Sequence, residues 1–475
     1  MPQIDQQFVT AENLPEQTGR PPDAAAEGAI LHSAFTWVPR SLIPYPEPLI
    51  RSGTFYGTER GVTTTVQLIR ETPDFLLLPR HLVTAALPRS ARHVNLLDGL
   101  TWDVVHFEDR VQVQDAKQAR AWTAFEAATC GIICVPCGAG KTVLSMKKIA
   151  QARVPALIFV NSEMLMEQWF DAARQFLGLA EEDLGVVRGP VAQWDRPFVV
   201  AMIQTVAPNA DAVPLWARQR FGIVLYDEVH HLSAPLFSRV AGLFYGARYG
   251  LSATPNRQDQ LEGVYFAHLG PIFYSDTETE VPADVYFRQL DTHKPPDRAI
   301  FLWDGSLSIA GLYRYLAEQP LRNERVARDV RDAVVAGRKV LVLSHSVEHV
   351  SILAAAIEAL AGVPVGVVTG KVLGKDKGAK RLAILRDHQV VCATFNIAKE
   401  GLNVPEIDSV VFATPFKDWG AFTQAKGRCE RAHPGKKPPM ALLYEDVNIS
   451  VCCALFRHIK RNLRDNGLNY RELPA

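Results

Sequence analysis

The segment Gly131–Thr142, GIICVPCGAGKT, joins a short apolar run to a glycine-containing loop and is the most informative part of the sequence. The run GIICVP is typical of a buried β-strand, and a helical pattern follows from Lys141. Gly138 and Gly140 allow backbone N–H groups to face a phosphate, which a lysine and an Mg²⁺-binding hydroxyl then complete. The loop has the shorter GxGK[ST] pattern, since Val135 stands where the full pattern has glycine. We predict a nucleotide-phosphate site formed by Cys137, Gly138, Ala139, Gly140, Lys141 and Thr142.

The cysteines of this stretch suggest a competing chemistry. Cys130, Cys134 and Cys137 have CxxxCxxC spacing, which could hold an iron–sulfur cluster. On a strand, Cys130 and Cys134 would share a face but stand roughly 13 Å apart, too far for one metal unless the strand breaks. We therefore expect small buried hydrophobic residues beside a phosphate loop. Seven cysteines, including the adjacent Cys452 and Cys453, favour reduced thiols and a cytoplasmic protein over a disulfide framework.

A strand that ends in two carboxylates supplies the second part of the predicted site. In FGIVLYDEVHH, Asp227 and Glu228 follow an apolar run, so both should emerge at the carboxyl edge of a sheet. ATP hydrolysis needs a carboxylate for Mg²⁺, a base that orients water, and a cation for the developing charge. A solvated acidic loop is the alternative, and we favour it less because His230 and His231 adjoin the two acids.

Composition limits the function only loosely. The 475 residues are enough for two or three domains. Lysine plus arginine and aspartate plus glutamate both number 51, so any nucleic-acid surface must be a local basic region. No apolar run approaches the roughly 20 residues that span a bilayer, and the N-terminus has no signal-peptide pattern, so we expect no membrane partner.

Changes in residue composition and pattern along the chain predict its domain organisation. Residues 1–28 are typical of a disordered arm, and 29–109 of a small β-rich accessory domain that could bind DNA. Apolar strand-like runs then alternate with helical patterns in two blocks, 110–285 and 300–475, joined by a linker at Asp291–Ala299. Such alternation predicts two α/β domains with doubly wound parallel sheets.

Six ordered segments between about residues 113 and 435 resemble the motifs of superfamily two helicases of the DEAD/DEAH type. They are VNSEMLMEQW (160–169) as motif Ia, AMIQTV (201–206) as Ib, DEVH (227–230) as II, SAT (252–254) as III, ATFNIAKEGLNVPEID (393–408) as V and QAKGRCER (424–431) as VI. Within that superfamily, GIICVPCGAGKT and LSATPNRQD look most like the xeroderma pigmentosum group B repair helicases and their phage and archaeal relatives. The arginine–glutamate–aspartate motif and thumb insertion of that group are not recognisable here.

The resemblance implies two tandem RecA-like domains that hydrolyse ATP with Mg²⁺. Lys141 would contact the β- and γ-phosphates, and Thr142 and Asp227 would hold the Mg²⁺. Glu228 would position or deprotonate the attacking water. Arg428 and Arg431 resemble the arginine fingers, which would complete the site when the two domains close.

Further roles come from the same resemblance. Gln118 resembles the adenine-reading glutamine, although the usual lead-in sequence is absent and an exposed helical glutamine is the alternative. Gly401 would sense nucleotide or strand, or merely form a turn. The remaining coupling residues would be His230, Ser252, Thr254 and Gln424.

The nucleic-acid track would run along motifs Ia, Ib and V, with phosphate contacts from Thr205 and Thr394. KVLGKDKGAKR (Lys371–Arg381) could follow a backbone electrostatically or be a solvated loop. We therefore expect an ATP-dependent DNA helicase or translocase in repair, recombination or replication, with DNA favoured over RNA and with protein partners from those processes. An RNA helicase, or a branched-DNA remodelling protein that does not separate strands, remains open.

Overall fold

A computed structural model describes residues 29–59, 62–82, 87, 91–97, 100–136, 138–229, 238–253, 261–276, 281–370, 377–395, 397, 404–431 and 433–475. The chain divides into two compact units, Met1–Thr277 and Glu278–Ala475. None of the helices in the described part has the length and apolar character that a membrane crossing requires.

The strands of the first unit are β1 (Ala29–His32), β2 (Phe35–Pro39), β3 (Thr54–Glu59), β4 (Val62–Gln67), β5 (Arg70–Glu71), β6 (Phe75–Pro79), β7 (Arg92–Asn95), β8 (Gly131–Cys134), β9 (Ala156–Val160), β10 (Leu184–Arg188), β11 (Val191–Ala192), β12 (Phe198–Met202), β13 (Ile223–Tyr226), β14 (Ala247–Ser252) and β15 (Ile272–Ser275). Its helices are α1 (Glu47–Ser52), α2 (Ala116–Ala127), α3 (Lys141–Ala152), α4 (Glu163–Leu177), α5 (Ile203–Val206), α6 (Leu215–Arg220), α7 (Ser238–Ala241) and α8 (Glu262–Leu269).

The first large sheet has eight strands in the order β11-β10-β12-β9-β13-β14-β8-β15. All neighbours are parallel except β10 and β11. Strands β9 (ALIFV) and β12 (FVVAM) are buried along their whole length, because helices cover both faces of a parallel sheet. The predicted parallel α/β architecture is confirmed here.

The N-terminal region is β-rich, as predicted. Five strands form a sheet in the order β5-β6-β2-β1-β7, and β3 pairs with β4. Arg80 donates to the carbonyl oxygen of Gly246 at 3.0 Å, and Arg248 donates to that of Ala34 at 2.8 Å. These bonds fasten the N-terminal sheet to the first large sheet within one unit. The predicted arm, residues 1–28, lies outside the described residues.

The strands of the second unit are β16 (Asp284–Leu290), β17 (Val340–Ser344), β18 (Val365–Val368), β19 (Val390–Thr394), β20 (Ser409–Phe412), β21 (Met440–Asp446) and β22 (Tyr470–Leu473). Its helices are α9 (Asp297–Ile300), α10 (Ile309–Ala317), α11 (Pro320–Val335), α12 (Val347–Ala361), α13 (Lys377–Asp387), α14 (Trp419–Lys426) and α15 (Ser450–Asp465).

The second large sheet is parallel throughout, in the order β18-β19-β17-β20-β21-β16-β22. Strand β16 belongs to it, pairing with β21 from Asp284↔Met440 to Leu290↔Asp446. A first domain that ends at residue 285, followed by a linker at Asp291–Ala299, therefore does not fit the structure. The division lies at Thr277 and Glu278, and the supposed linker follows a strand of the second sheet.

Candidate active site

The phosphate loop lies between β8 and α3, at the carboxyl edge of the first large sheet. Gly138 and Gly140 have φ of +91° and +88°, a left-handed backbone that favours glycine. Helix α3 begins at Lys141, whose Nζ donates to the carbonyl oxygens of Val135 at 3.0 Å and Pro136 at 3.4 Å. The lysine is thus held over the loop by groups that a phosphate oxygen could replace.

Gln118 lies against this loop rather than in solvent. Only 8 % of its surface is exposed, and its Oε1 accepts the backbone N–H of Gln114 at 3.0 Å. A Cβ atom at position 140 would lie 2.9 Å from Gln118 Nε2, so Gly140 is also the residue that makes room for the amide. The exposed-helix alternative for Gln118 is therefore wrong.

The two acids follow β13 at the same sheet edge. The backbone N–H of Asp227 donates to the carbonyl of Phe159 on the adjacent strand at 3.0 Å. Its Oδ2 accepts the indole N–H of Trp169 at 2.9 Å, and its Oδ1 accepts the backbone N–H of Glu228 at 3.0 Å. Burial, followed by the negative charge of Glu228, raises the pKa of Asp227 to about 6, although Trp169 and Lys141 lower it.

Glu228 takes an unusual backbone conformation. Its φ is +48°, in the left-handed region that non-glycine residues adopt at a cost of about 1–3 kcal/mol. This turn directs the chain out of β13 beside a small, partly open pocket. The pocket is lined by Phe159, Val160, Asn161, Ile203, Tyr226, Asp227, Glu228 and Val229. Strain of this kind concentrates at functional sites, and here it reorients a carboxylate at the end of a rigid strand.

The predicted motif III residue Ser252 is buried at the end of β14, next to the phosphate loop. Its carbonyl accepts the N–H of Val135 at 3.1 Å, so β14 and the loop are directly hydrogen-bonded. Cys134 ends β8, and burial is the largest influence on its thiol, raising its pKa. Cys130 lies instead near His81, with Sγ 3.9 Å from Nδ1, consistent with separate environments for the two thiols.

Four predicted site residues, Cys137, His230, Thr254 and Gly401, lie outside the described residues. Most of Lys371–Arg381 does as well, and its described part begins α13. The roles assigned to these residues stay predictions.

The predicted motif Ib residue Thr205 lies in the short helix α5, directly after β12. Its Oγ1 accepts the backbone N–H of Gly189 at 3.1 Å, which leaves the hydroxyl proton available for another acceptor. The neighbouring Gln204 donates to the carbonyl of Asn161 at 3.0 Å, so motifs Ia and Ib are joined at one sheet edge.

In the second unit, motif VI spans the end of α14 and the turn after it. Gln424 and Arg428 are buried, and Arg431 is half-buried. Between the arginines, Glu430 forms a buried ion pair with Lys426 and accepts the backbone N–H of Ala283 at 2.9 Å. Thr394, the predicted motif V contact, ends β19 and is half-buried.

The structure thus assembles one cluster within the first unit, made of Gln118, Gly138–Thr142, Asp227, Glu228 and Ser252. The predicted residues of motifs V and VI belong to the other unit. Sequence reasoning missed Trp169 as a partner of Asp227. It closes the quoted motif Ia segment, but an aromatic residue at helical spacing is usually interpreted as core.

Comparisons with known proteins agree with this geometry. The family of type III restriction enzyme res subunits matches residues 109–257, and the helicase conserved C-terminal domain matches residues 325–433. The DNA 3′-5′ helicase XPB of Kineococcus radiotolerans is 34 % identical over 165 residues, which cover 34 % of this chain and 29 % of that protein.

Two longer matches extend over both units. The DNA 3′-5′ helicase XPB of Mycobacterium tuberculosis is 24 % identical over 65 % of this chain and 56 % of its own length. The probable helicase D10 of Escherichia phage T5 is 26 % identical over 64 % of this chain and 65 % of its own length. The chain therefore matches less than two thirds of the length of these relatives.

Solved structures show the same fold. Dbp5 of S. cerevisiae, bound to RNA and ADP BeF3, has a TM-score of 0.54 at 12 % identity, covering 77 % of this chain and 90 % of that one. A fragment assigned as the HsdR subunit of a type I restriction enzyme from Vibrio vulnificus has a TM-score of 0.52 at 17 % identity, covering 77 % and 69 %.

Proposed function

Because the chain belongs to the superfamily two helicases and is XPB-like in sequence, we propose that it is an ATP-dependent DNA translocase or helicase that moves 3′ to 5′. The direction follows the names of the relatives. Action in DNA repair, and cytoplasmic location, belong to the same proposal. The observation that carries it is the convergence of Lys141 and the acids Asp227 and Glu228 on one sheet edge.

The residues present fit a nucleotide with Mg²⁺. The loop glycines leave a cradle that a Cβ at position 140 would fill, and Gln118 lines one side of it. Asp227 forms no ion pair with any residue in the described ranges, and the raised pKa of its carboxyl indicates a site that a cation would stabilise. Carboxylate and hydroxyl oxygens are the ligands that Mg²⁺ prefers.

Each residue then has a role that its position supports. ATP would supply the phosphoryl group, and bound Mg²⁺ would neutralise negative charge on the phosphate oxygens. Lys141 exchanges its two loop carbonyls for phosphate oxygens, while Thr142 and Asp227 hold the cation. Glu228 orients water and accepts its proton. Gln118 reads the adenine edge through its amide.

Motif VI residues of the second unit complete the proposal. Arg428 and Arg431 would stabilise the charge that develops on the transferred phosphoryl group, as arginine fingers do. Gln424 and Gly401 would report the nucleotide state. Thr205 and Thr394 would donate hydroxyl groups to strand phosphates.

The test is ATP turnover by purified protein with no nucleic acid, single-stranded DNA, duplex, forked DNA and RNA. Lys141→Ala and Glu228→Gln should abolish DNA-stimulated turnover. Lys147→Gln is the matched control, because Lys147 lies on the same helix but pairs with Asp109 at 2.9 Å. It should retain stimulation.

Each outcome has a distinct meaning. Displacement of streptavidin from the 5′ end of single-stranded DNA, but not from the 3′ end, is expected for 3′-to-5′ movement. Stimulation by RNA alone would replace the proposal with an RNA helicase. DNA-stimulated turnover without movement or strand separation would replace it with a remodelling protein. Absence of turnover on every substrate would overturn it.

A further inference from the structure

The long helix α15, Ser450–Asp465, carries three exposed arginines on one face. Arg457, Arg461 and Arg464 follow each other at spacings of four and three residues, which places them in one stripe. The opposite face is anchored in the core, where Phe456 is fully buried. The stripe is therefore presented to solvent from a rigid element.

Lys460 on the same helix is a cation whose role is structural, and it serves as a comparison for the three arginines. Lys460 donates to Glu445 at 2.6 Å and to Glu472 at 2.8 Å, and its Nζ lies 4.7 Å from the centre of the Phe287 ring. Its charge is fully used in fastening α15 to the strands β16, β21 and β22.

Helix α11 gives a second comparison within the unit. Arg325 pairs with Asp329, Arg328 with Glu324, and Arg331 with Asp332. These arginines are also spaced along one helix, but each meets a carboxylate. The basic face of α11 is therefore neutralised by carboxylates on the same helix.

The α15 stripe differs, because none of its three arginines forms an ion pair with a described residue. Arg461 contacts the ring of His458, with Nη2 3.2 Å from Nδ1. Burial, then the charges of Arg461 and Lys417, lower the pKa of His458, while Asp418 raises it. Lys417 and Asp418 thus lie near His458 as a cation and an opposing carboxylate, and Asp465 is the acid at the end of α15 itself.

We propose that Arg457, Arg461 and Arg464 form a contact surface for the phosphate backbone of DNA, separate from the helicase motifs. At 1.5 Å per residue the stripe is about 10 Å long, the axial distance that about three phosphates of one strand cover. Arginine suits this task because its planar donors match phosphate oxygens. The inference rests on the proposed function, since it adds a second DNA-binding surface to a DNA translocase or helicase.

The experiment compares two triple variants with equal charge change in the same unit. R457Q/R461Q/R464Q removes the unpaired stripe, and R325Q/R328Q/R331Q removes three paired arginines. Binding of a fluorescent 20-base-pair duplex is measured by anisotropy between about 50 and 300 mM salt. Each phosphate contact contributes about 0.9 to the slope of log affinity against log salt concentration. The stripe variant should lose about 2–3 from the slope, and the control less than 1.

Turnover without DNA and thermal unfolding should match the wild type in both variants, since the stripe lies outside the proposed catalytic machinery. Equal slopes in the stripe variant and the wild type would overturn the inference while leaving the motor intact. Equal competition by poly-glutamate at matched charge would also overturn it, in favour of an acidic protein partner. Failure of the wild-type protein to bind DNA would instead remove the proposed function beneath it.

Discussion

Asp227 and Asp446 both lie at the carboxyl end of a buried strand in one of the two large sheets, yet their surroundings are opposite. Asp227 follows the buried parallel strand β13, and Asp446 ends the buried parallel strand β21. Asp446 is fully buried and accepts from Arg322 at 2.8 and 3.2 Å and from Thr292 at 2.5 Å. The protein itself neutralises this carboxylate.

Asp227 receives hydrogen bonds from Trp169 and the backbone of Glu228, and the charge of Lys141 lowers its pKa, but it forms no ion pair with a described residue. Its neighbour Glu228 adds a second negative charge, so the pair is unfavourable until a cation arrives. A strand-end aspartate is thus part of a buried ion pair in one sheet and a candidate Mg²⁺ ligand in the other. The comparison illustrates that similar sheets acquire chemistry only through the residues at their edges.

The largest effect should come from the water-orienting acid. Glu228→Gln should lower DNA-stimulated ATP turnover by about 10²–10⁴-fold, because a general base is lost while phosphate and Mg²⁺ ligands remain. The matched control is Glu445→Gln, which changes a strand-end acid of the second sheet that pairs with Lys460. Steady-state kinetics of both variants tests this prediction. Equal losses of turnover would contradict a catalytic role that is specific to Glu228.

Removing the buried Arg322–Asp446 ion pair of the second sheet should lower stability rather than turnover. Asp446→Ala leaves the buried Arg322 without its partner, so the free energy of unfolding should fall by about 3–5 kcal/mol. Urea unfolding followed by circular dichroism measures this. The double change Arg322→Met with Asp446→Leu should cost less, because no charge stays buried. An unchanged free energy of unfolding in Asp446→Ala would show that the Arg322–Asp446 ion pair does not stabilise the second sheet.

Asp227→Asn should have the reverse effect on stability in Mg²⁺-free buffer. The folded pKa of Asp227 is raised to about 6, so its contribution is present below about pH 4 and lost as the pH rises through 6. Between pH 4 and pH 8, the free energy of unfolding of the variant should therefore rise relative to that of the wild type by about 1–3 kcal/mol. The effect stays within this range because the carboxyl keeps some solvent contact. Unfolding curves at both pH values test this, and a pH-independent difference would contradict the raised pKa.

The smallest effect concerns the indole that contacts Asp227. Trp169→Phe removes a hydrogen bond that lowers the pKa of Asp227, so the acid limb of the turnover profile should move to higher pH by up to about one unit. Trp194→Phe is the control, because Trp194 packs against Phe221 and Phe244 in the same unit without touching the site. Similar shifts in both variants would indicate a general packing effect.

The sequence was sufficient wherever the signal is local. The glycine loop, the lysine that follows it and the acids after β13 could be predicted because strand, turn and helix patterns lie side by side in the chain. The apolar runs likewise predicted parallel sheets. The contact of Gln118 with the loop depends on how α2 packs against it, which a local pattern does not specify.

Long-range partners could not be predicted in this way. Trp169 meets Asp227 across 58 residues, and Arg322 meets Asp446 across 124. The predicted domain boundary at residue 285 falls inside strand β16 for the same reason, because the pairing partner of that strand, β21, is far along the chain. An apolar residue at helical spacing, or a strand beside a proline-containing segment, does not reveal what it contacts.

The loop and the two acids are proposed to bind Mg²⁺ together with a nucleotide. The most direct measurement is the thermal unfolding temperature of wild-type protein and Lys141→Ala with Mg²⁺–ADP, Mg²⁺ alone and ADP alone. A ligand at 100 times its Kd stabilises the folded state by about 2.7 kcal/mol, so the wild type should melt several degrees higher with Mg²⁺–ADP and the variant should not. An unchanged wild-type unfolding temperature at millimolar Mg²⁺–ADP, or an equal rise in Lys141→Ala, would contradict nucleotide binding by this loop and these acids.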